Sequence, residues 1–365
     1  MTITTSVSSV AEWDTCHRKA YYSSPSWGLG YSPTYERDNL ALGSLYHNAQ
    51  AWVAKGKMVG EALAITSDAQ HSVWDAYSNQ PNDADSIIST YEALVQAQQL
   101  WQSRDNSRYS DANLDIFTVE EKVRFTMEDY EFTFVLDRLV RHKPTGVLMP
   151  FEFKTSKYPE QLEAGLPWDL QPRFYCYAVS KLFNEPVPGV LYEFARATNP
   201  NQVTILKDGL PSQAMATLSG TTYEIYYDTL VECAKTYIGY HLAKPKYTSI
   251  KEIMEAYEPT LEKFRTRVDP IFWRRPHWVT LAEQEEAARE MLAAAKEMEA
   301  ARVLGPNVRA TGLNRSACNA WGGCPYKSAC LVHSQGGDYE GVLASDFLKN
   351  KKRLTDYEET KNANA

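Results

Sequence analysis

The sequence predicts an α/β fold, and three observations carry that prediction. Three strand patterns run in succession: Phe117 to Met127 alternates through Val119, Val123 and Phe125, Tyr130 to Arg141 is rich in aromatic and β-branched residues, and Gly146 to Lys154 is an apolar run ending in polar residues. A helical pattern from Leu170 to Phe183 and a strand pattern from Gly189 to Ala195 follow them. A further helix, Arg37 to Lys55, precedes them, so the order is helix, three strands, helix, strand.

The remaining elements extend this core. Thr5 to Tyr22 reads as one amphipathic helix with Val10, Trp13 and Tyr21 on its apolar side and Cys16 near its end. Glu61 to Arg108 is polar and helical, as an inserted hairpin would be, and Gln202 to Lys207 is a short strand candidate. Beyond Pro211 the chain reads as mostly helical, in Tyr223 to Ala243, Ile250 to Ala256 and the Ala- and Glu-rich Leu281 to Arg302. The expectation is one domain over 1–335 with helical insertions at about 56–112 and 211–302, then a charged tail, 336–365, fraying from Lys349 onward.

A chain of 365 residues with 44% hydrophobic residues can bury a real core. No stretch approaches the roughly 18 uninterrupted apolar residues of a membrane helix, and the start lacks the basic and apolar regions of a signal peptide, so the cytoplasm is the expected location. A net charge of -8 gives no overall attraction to phosphate. Basic residues do gather at Arg138, Arg141 and Lys143, at Arg265, Arg267, Arg274 and Arg275, and at Lys349, Lys351, Lys352 and Arg353. For any single one of these, a solvated face is a simpler reading than nucleic-acid contact.

The chemistry is concentrated in Phe132 to Ser156. Lys143-Pro144-Thr145-Gly146 fits a type I turn with Pro at its second position, and counting back and forward from it sets Asp137 opposite Glu152. Opposed residues have Cβ atoms about 5 Å apart, within reach of one metal ion. Lys154 lies two residues on, on the face of Glu152. Two adjacent carboxylates repel unless a hard cation such as magnesium or manganese takes their oxygens. The same three residues on an edge hairpin would also make a surface ion-pair cluster.

Two helical pairs bear on that choice. Gly43 and His47 share a helix face, Gly43 allowing the backbone close to the strands and His47 offering a nitrogen ligand. Gln171 and Tyr175 have the same spacing on the helix after the lysine strand, where Asp169 is a candidate N-cap and Pro172 falls in the first turn. Gln171 then stands at a positively polarised helix start, able to hold a phosphate or Lys154, and Tyr175 can donate to a phosphate oxygen.

Of the six cysteines, Cys176 and Cys233 lie in apolar helical settings. Cys318, Cys324 and Cys330 form a run with Gly322, Gly323 and Pro325 between them, a loop able to wrap a metal centre but one thiol short. Cys16, within Trp13-Asp-Thr-Cys16-His-Arg-Lys19-Ala-Tyr21, is the chosen fourth. Four thiolates suit a [4Fe-4S] cluster or zinc, and spacing does not separate the two.

Taken together, these features resemble the RecB-type branch of the PD-(D/E)XK nucleases, and within it the iron-sulphur nucleases of recombination complexes, CRISPR adaptation and phage genomes. Trp13, Cys16, Lys19 and Tyr21 match the opening cysteine motif, Gly43 with His47 the first active-site helix and Asp137 the first acid. Glu152-Phe153-Lys154 matches the E-x-K element, Gln171 with Tyr175 the Q-x-x-x-Y motif, and the last three cysteines the cluster loop. Many family members place two residues between the second and third cysteines, where this chain has five.

The resemblance implies a restriction-endonuclease-like core, a central mixed sheet flanked by helices, with helical insertions and a C-terminal cysteine-cluster loop. It implies His47, Asp137, Glu152 and the backbone carbonyl of Phe153 as ligands of magnesium or manganese, Lys154 as catalytic, and Gln171 and Tyr175 as positioning substrate. The activity implied is a metal-dependent deoxyribonuclease acting on single strands or free ends, in recombination, repair or phage DNA metabolism. A non-cleaving iron-sulphur subunit that grips DNA or a partner protein is the alternative. With no GxxxxGK[ST] phosphate loop in the chain, any helicase partner, like any annealing or recombination partner, is a separate protein.

Overall fold

A computed structural model of the chain describes residues 4–34, 38–77, 81, 83–237, 246–266, 271–304, 314–319 and 323–350. The first half holds β1 (Thr4–Thr5), α1 (Val7–Thr15), α2 (His17–Ser23), β2 (Tyr31–Pro33), α3 (Asp38–Ala54), α4 (Val59–Tyr77) and α5 (Ala84–Arg104). The centre holds β3 (Leu114–Met127), β4 (Tyr130–His142), β5 (Val147–Ser156), α6 (Pro159–Gly165), α7 (Leu170–Phe183) and β6 (Gly189–Arg196). Then come α8 (Met215–Leu218), α9 (Tyr223–Lys235), α10 (Ile250–Thr266), β7 (Phe272–Trp278), α11 (Leu281–Leu304), α12 (Lys327–Ser334), α13 (Tyr339–Asp346) and β8 (Phe347–Lys349).

A mixed sheet runs β1-β4-β5-β6-β7, with β3 on the other edge of β4. Helices cover both of its faces, so the fold is α/β as the element order indicated. On one face Phe132, Phe134, Tyr192 and Phe194 pack with Phe174 of α7, Met291 of α11 and Val10 of α1. On the other, Phe151, Phe153 and Leu191 pack with Leu45 and Tyr46 of α3 and Leu94 of α5. A third cluster, including Leu210, Tyr226 and Ile253, joins α9 to α10.

The β4 edge that faces β5 positions everything that follows. It pairs with β1 at Glu131 and Phe132 and with β5 from Arg138 to His142. Residues 133–137 lie between these partners, where β5 has parted from β4 to run beside β6. The side-chain alternation of β4 also resets here: Leu136 packs on the α7 face, whereas Arg138, two residues on, donates to the Gln50 carbonyl of α3. A regular strand sends residues two apart to the same face.

Several expectations need correction. The first helix is two, because Cys16 is extended (φ -169°, ψ 113°) and breaks it, and Thr4–Thr5 are a strand. Gln202 to Lys207 makes only one isolated bridge, Ile205 to Pro211, having no neighbouring strand to extend against. The stretch expected to be a helical insertion up to 302 contains β7, whose FWRRPHW sequence reads as a basic cluster and not as a strand. Its Pro276 is tolerated because β7 pairs with β6 alone among the described residues.

The tail is likewise structured in part: α13 and β8 occupy 339–349, and β8 pairs with β2 while Tyr326 and Phe347 stack. Residues 351–365, together with Arg267, Gly322, 238–243 and the basic residues Lys351, Lys352 and Arg353, lie outside the described residues. Among the described residues no helix is long and apolar enough to cross a membrane.

Candidate active site

The hairpin turn begins one residue earlier than expected. Both Thr145 and Gly146 donate their N–H groups to the His142 carbonyl, and Gly146 takes a left-handed φ of 70°, which glycine adopts without strain. The register is nevertheless the expected one, with His142 opposite Val147 and Arg138 opposite Phe151. The next position brings Asp137 level with Glu152, at the point where the strands part. Instead of a further ladder bond, the Phe153 N–H donates to Oδ2 of Asp137 at 2.7 Å.

His47 approaches from α3. Its Nδ1 lies 3.3 Å from each oxygen of Asp137, and its ring meets Phe153 edge-on. Gly43 does not serve the close approach expected of it, since a Cβ there would meet nothing within 4 Å. Ala41, Leu45 and Tyr46, all 0% exposed, carry the packing of α3 in its place.

From the other face comes the start of α7. Asp169 caps the helix by accepting the Gln171 N–H at 2.9 Å, and Pro172 occupies the first turn, where no donor is lost. The Gln171 side chain then ties the site together. Its Oε1 accepts from Lys154 Nζ at 2.7 Å, and its Nε2 donates to Glu152 Oε2 and to the Tyr175 hydroxyl, each at 3.1 Å. Tyr175 in turn donates to the Val135 carbonyl at 3.4 Å, in the open stretch of the β4 edge. Lys154 also sits over the ring of Tyr192, 5.7 Å from its centroid.

The electrostatics separate the two carboxyls. Burial works against ionisation of Asp137, but the charge and hydrogen bond of His47, the Phe153 N–H and Lys154 outweigh it and hold its pKa below the ordinary value. Burial, followed by the charge of Asp137, pushes Glu152 well above the ordinary range, only partly countered by Lys154. Burial would lower His47; the charge and hydrogen bond of Asp137 reverse this and raise it. Glu152 is 4% exposed, and its Oε1 has no hydrogen-bond partner. An orphaned, buried carboxylate oxygen beside a second carboxylate and an imidazole is a donor set suited to a hard divalent cation.

Tyr192 escaped the sequence reading. Tyr192 pairs with Glu152 in the β5–β6 register, and its buried hydroxyl has no partner. The signal available was its place in the alternation of β6.

Most of the expected basic clusters have structural employment. Arg274, its side chain 1% exposed, pairs with the fully buried Glu193 at 2.6 Å and with Asp111 at 2.5 Å. Gln98 and Tyr46 also donate to Glu193. Arg138 lies over the rings of Phe151 and Phe153, Arg141 pairs with Glu185, and Lys143 with Asp115. Arg265 pairs with Glu262.

Residues 15–22 and 314–334 meet around the cysteines. Arg18 of α2 donates to the carbonyl and Sγ of Cys330, Asn314 donates to the Thr15 carbonyl, and the Tyr22 hydroxyl meets His333 at 2.7 Å. Trp13 and Tyr21 are buried, and Lys19 pairs with Glu12. Cys16, Cys318, Cys324 and Cys330 are all free thiols; burial raises the Cys324 pKa, to which neighbouring Cys16 and Cys318 add. The thiol chemistry fits a cysteine-ligated centre; among the described residues, however, neither the cysteines nor His47 with the carboxylates make a group of three that could hold a metal ion.

A family model of the PD-(D/E)XK nuclease superfamily matches residues 4–331, and the chain belongs to that superfamily. No curated protein matches the chain.

Proposed function

We propose that the protein is a magnesium- or manganese-dependent deoxyribonuclease of the RecB type, hydrolysing phosphodiester bonds in single strands or at DNA ends during recombination, repair or phage DNA metabolism. The single observation behind this reading is the orphaned Oε1 of Glu152, buried beside Asp137 within the grip that Gln171 keeps on Lys154. A buried carboxylate oxygen without a hydrogen-bond partner is one that a bound cation would satisfy.

In this reading His47, Asp137, Glu152 and the Phe153 carbonyl hold the cation. The chemistry supplied by a bound divalent cation is Lewis acidity toward the phosphoryl oxygen and a lowered pKa for the attacking water. Asp137 stays ionised and His47 neutralises when it becomes a ligand. Lys154, held by Gln171, orients the water and stabilises the negative charge that develops on the phosphate. Tyr175, kept neutral by burial, donates a proton toward substrate oxygen without losing it.

Cleavage of end-labelled single- and double-stranded DNA with either metal, comparing wild type with Lys154→Ala, tests the reading. Activity lost in the variant supports it; cleavage that persists there would overturn the assignment of Lys154.

A second element of the reading is a cluster ligated by Cys16, Cys318, Cys324 and Cys330, an iron-sulphur centre in preference to zinc. The contacts between α2 and α12 support it, because a metal there would join segments that already touch. Anaerobically purified protein should be brown and contain iron, and Cys16→Ala should bleach and destabilise it. Colourless protein containing zinc would exclude the cluster.

A further inference from the structure

Two uncharged groups hold Lys154. Its Nζ donates to Oε1 of Gln171 at 2.7 Å and lies 5.7 Å from the centroid of the Tyr192 ring, and among the described residues it forms no ion pair. An ammonium within about 6 Å of an aromatic centroid is attracted by the negative face of the ring. The strand register explains the contact. β5 and β6 run parallel with Glu152 level with Tyr192 and Lys154 level with Phe194, so these four side chains stand on one face of the sheet.

The ring is itself fixed in place. Tyr192 stacks on Phe194 with centroids 5.7 Å apart, Phe194 stacks on Trp273 of β7 at 5.2 Å, and the Trp273 indole donates to Glu163 of α6 at 3.1 Å. Tyr192 and Phe194 are both fully buried, so neither ring turns away without opening the core. The Tyr192 hydroxyl has no hydrogen-bond partner, which leaves the ring face as the part of this side chain that meets the site. A carboxylate partner would hold Lys154 as firmly but would also neutralise it. A carboxamide oxygen and a ring face hold the ammonium and leave its full charge for an anion.

We infer that Tyr192 is a positioning residue for Lys154: its ring, braced by Phe194 and Trp273, is the second support of the ammonium beside Gln171 and holds it without neutralising it. The inference rests on the nuclease reading above and deepens it, adding a residue of β6 to a site whose sequence motifs end at α7.

The test compares the full-length wild type with Tyr192→Leu, Tyr192→Phe and chains carrying mono- or trifluorinated phenylalanine at position 192, in cleavage of single-stranded DNA with Mg2+ and in a thermal melt. Loss of the ring in Tyr192→Leu should lower kcat about 5- to 30-fold, the range for a partly desolvated cation–π contact, with KM unchanged. Tyr192→Phe should restore the wild-type kcat and melt at or above the wild-type temperature, since it removes a buried unpaired hydroxyl. Fluorine drains negative charge from the ring face while keeping its shape. Turnover should therefore fall stepwise from phenylalanine to its mono- and trifluorinated forms, a trend that packing alone does not produce and that carries the test if the leucine variant fails to fold. Apart from activity, the ε-methylene protons of Lys154 in metal-free protein with isotope-labelled lysine, identified by their loss in Lys154→Ala, should resonate upfield because they lie over the ring. A kcat that ignores fluorination, a loss confined to KM, or an unshifted Lys154 signal overturns the inference and leaves the nuclease reading standing. If the wild type cuts nothing with Mg2+ or Mn2+, the nuclease reading falls and this inference with it.

Discussion

The backbone N–H of Phe153 donates to Oδ2 of Asp137 at 2.7 Å, one step past the last β4–β5 pair, Arg138 with Phe151. A side chain on one strand thereby takes the donor of the other just where the sheet forks. The fork gives both carboxyls a site within the sheet, away from bulk water, and the same bond fixes the Phe153 peptide whose carbonyl is proposed as a ligand.

Asp137→Asn keeps an acceptor for Phe153 but removes the negative charge that His47 and a cation need. DNA cleavage should drop by at least about 100-fold, the lower range for loss of an acid–base or charge-bearing group, with the fold intact. Circular dichroism and an activity assay on the same preparation check this. Full activity in the variant means that Asp137 is not a ligand.

Glu152→Gln should stabilise the metal-free protein. The folded pKa of Glu152 is raised by burial and by Asp137, so between the ordinary carboxylate range and that raised value the native state binds more protons than the unfolded one. Metal-free stability therefore falls as pH rises through that window. The glutamine variant should lose this slope and unfold at a higher urea concentration at neutral pH, because it places no second charge beside Asp137. Urea unfolding at several pH values without metal measures it, and an unchanged slope would sink the argument.

Mn2+ affinity should rise with pH. Asp137 raises the pKa of His47, and a ligand imidazole must be neutral, so binding expels a proton. Below the raised histidine pKa, affinity should weaken progressively. Calorimetry in buffers of different ionisation enthalpy counts the protons that His47 and Glu152 give up together; His47→Ala should lower that count, and an unchanged count would remove His47 from the ligand set.

Arg274→Ala should cost about 3–5 kcal/mol, because it leaves the buried Glu193 carboxylate without its cation. The pair joins β6 and β7, and Gln98 connects it to α5. Chemical denaturation reads the loss. A change below about 1 kcal/mol, typical of exposed pairs, would show that Arg274 is not the structural residue described here.

Local rules made much of this protein legible. Turn chemistry and strict alternation set the β4–β5 register, and with it the level placement of Asp137 and Glu152. Asp169, followed by Pro172, marked the start of α7, so the side of the helix carrying Gln171 and Tyr175 could be read before any contact was known. These features depend on residues close in sequence, whose periodicity is visible without their partners.

Other features belong to the tertiary structure, because they depend on neighbours that no local pattern encodes. β7 is a strand because the edge of β6 accepts one that carries a proline, and β8 is a strand because β2 lies ready to pair with it. Gly43 looked like a point of close approach, yet the space beside it is open. Arg274 looked like a surface charge until Glu193 met it across the ladder. Glu120 takes a left-handed φ of 53° at the step in β3 opposite Asp137, an irregularity set by the pairing of two strands and by neither sequence alone.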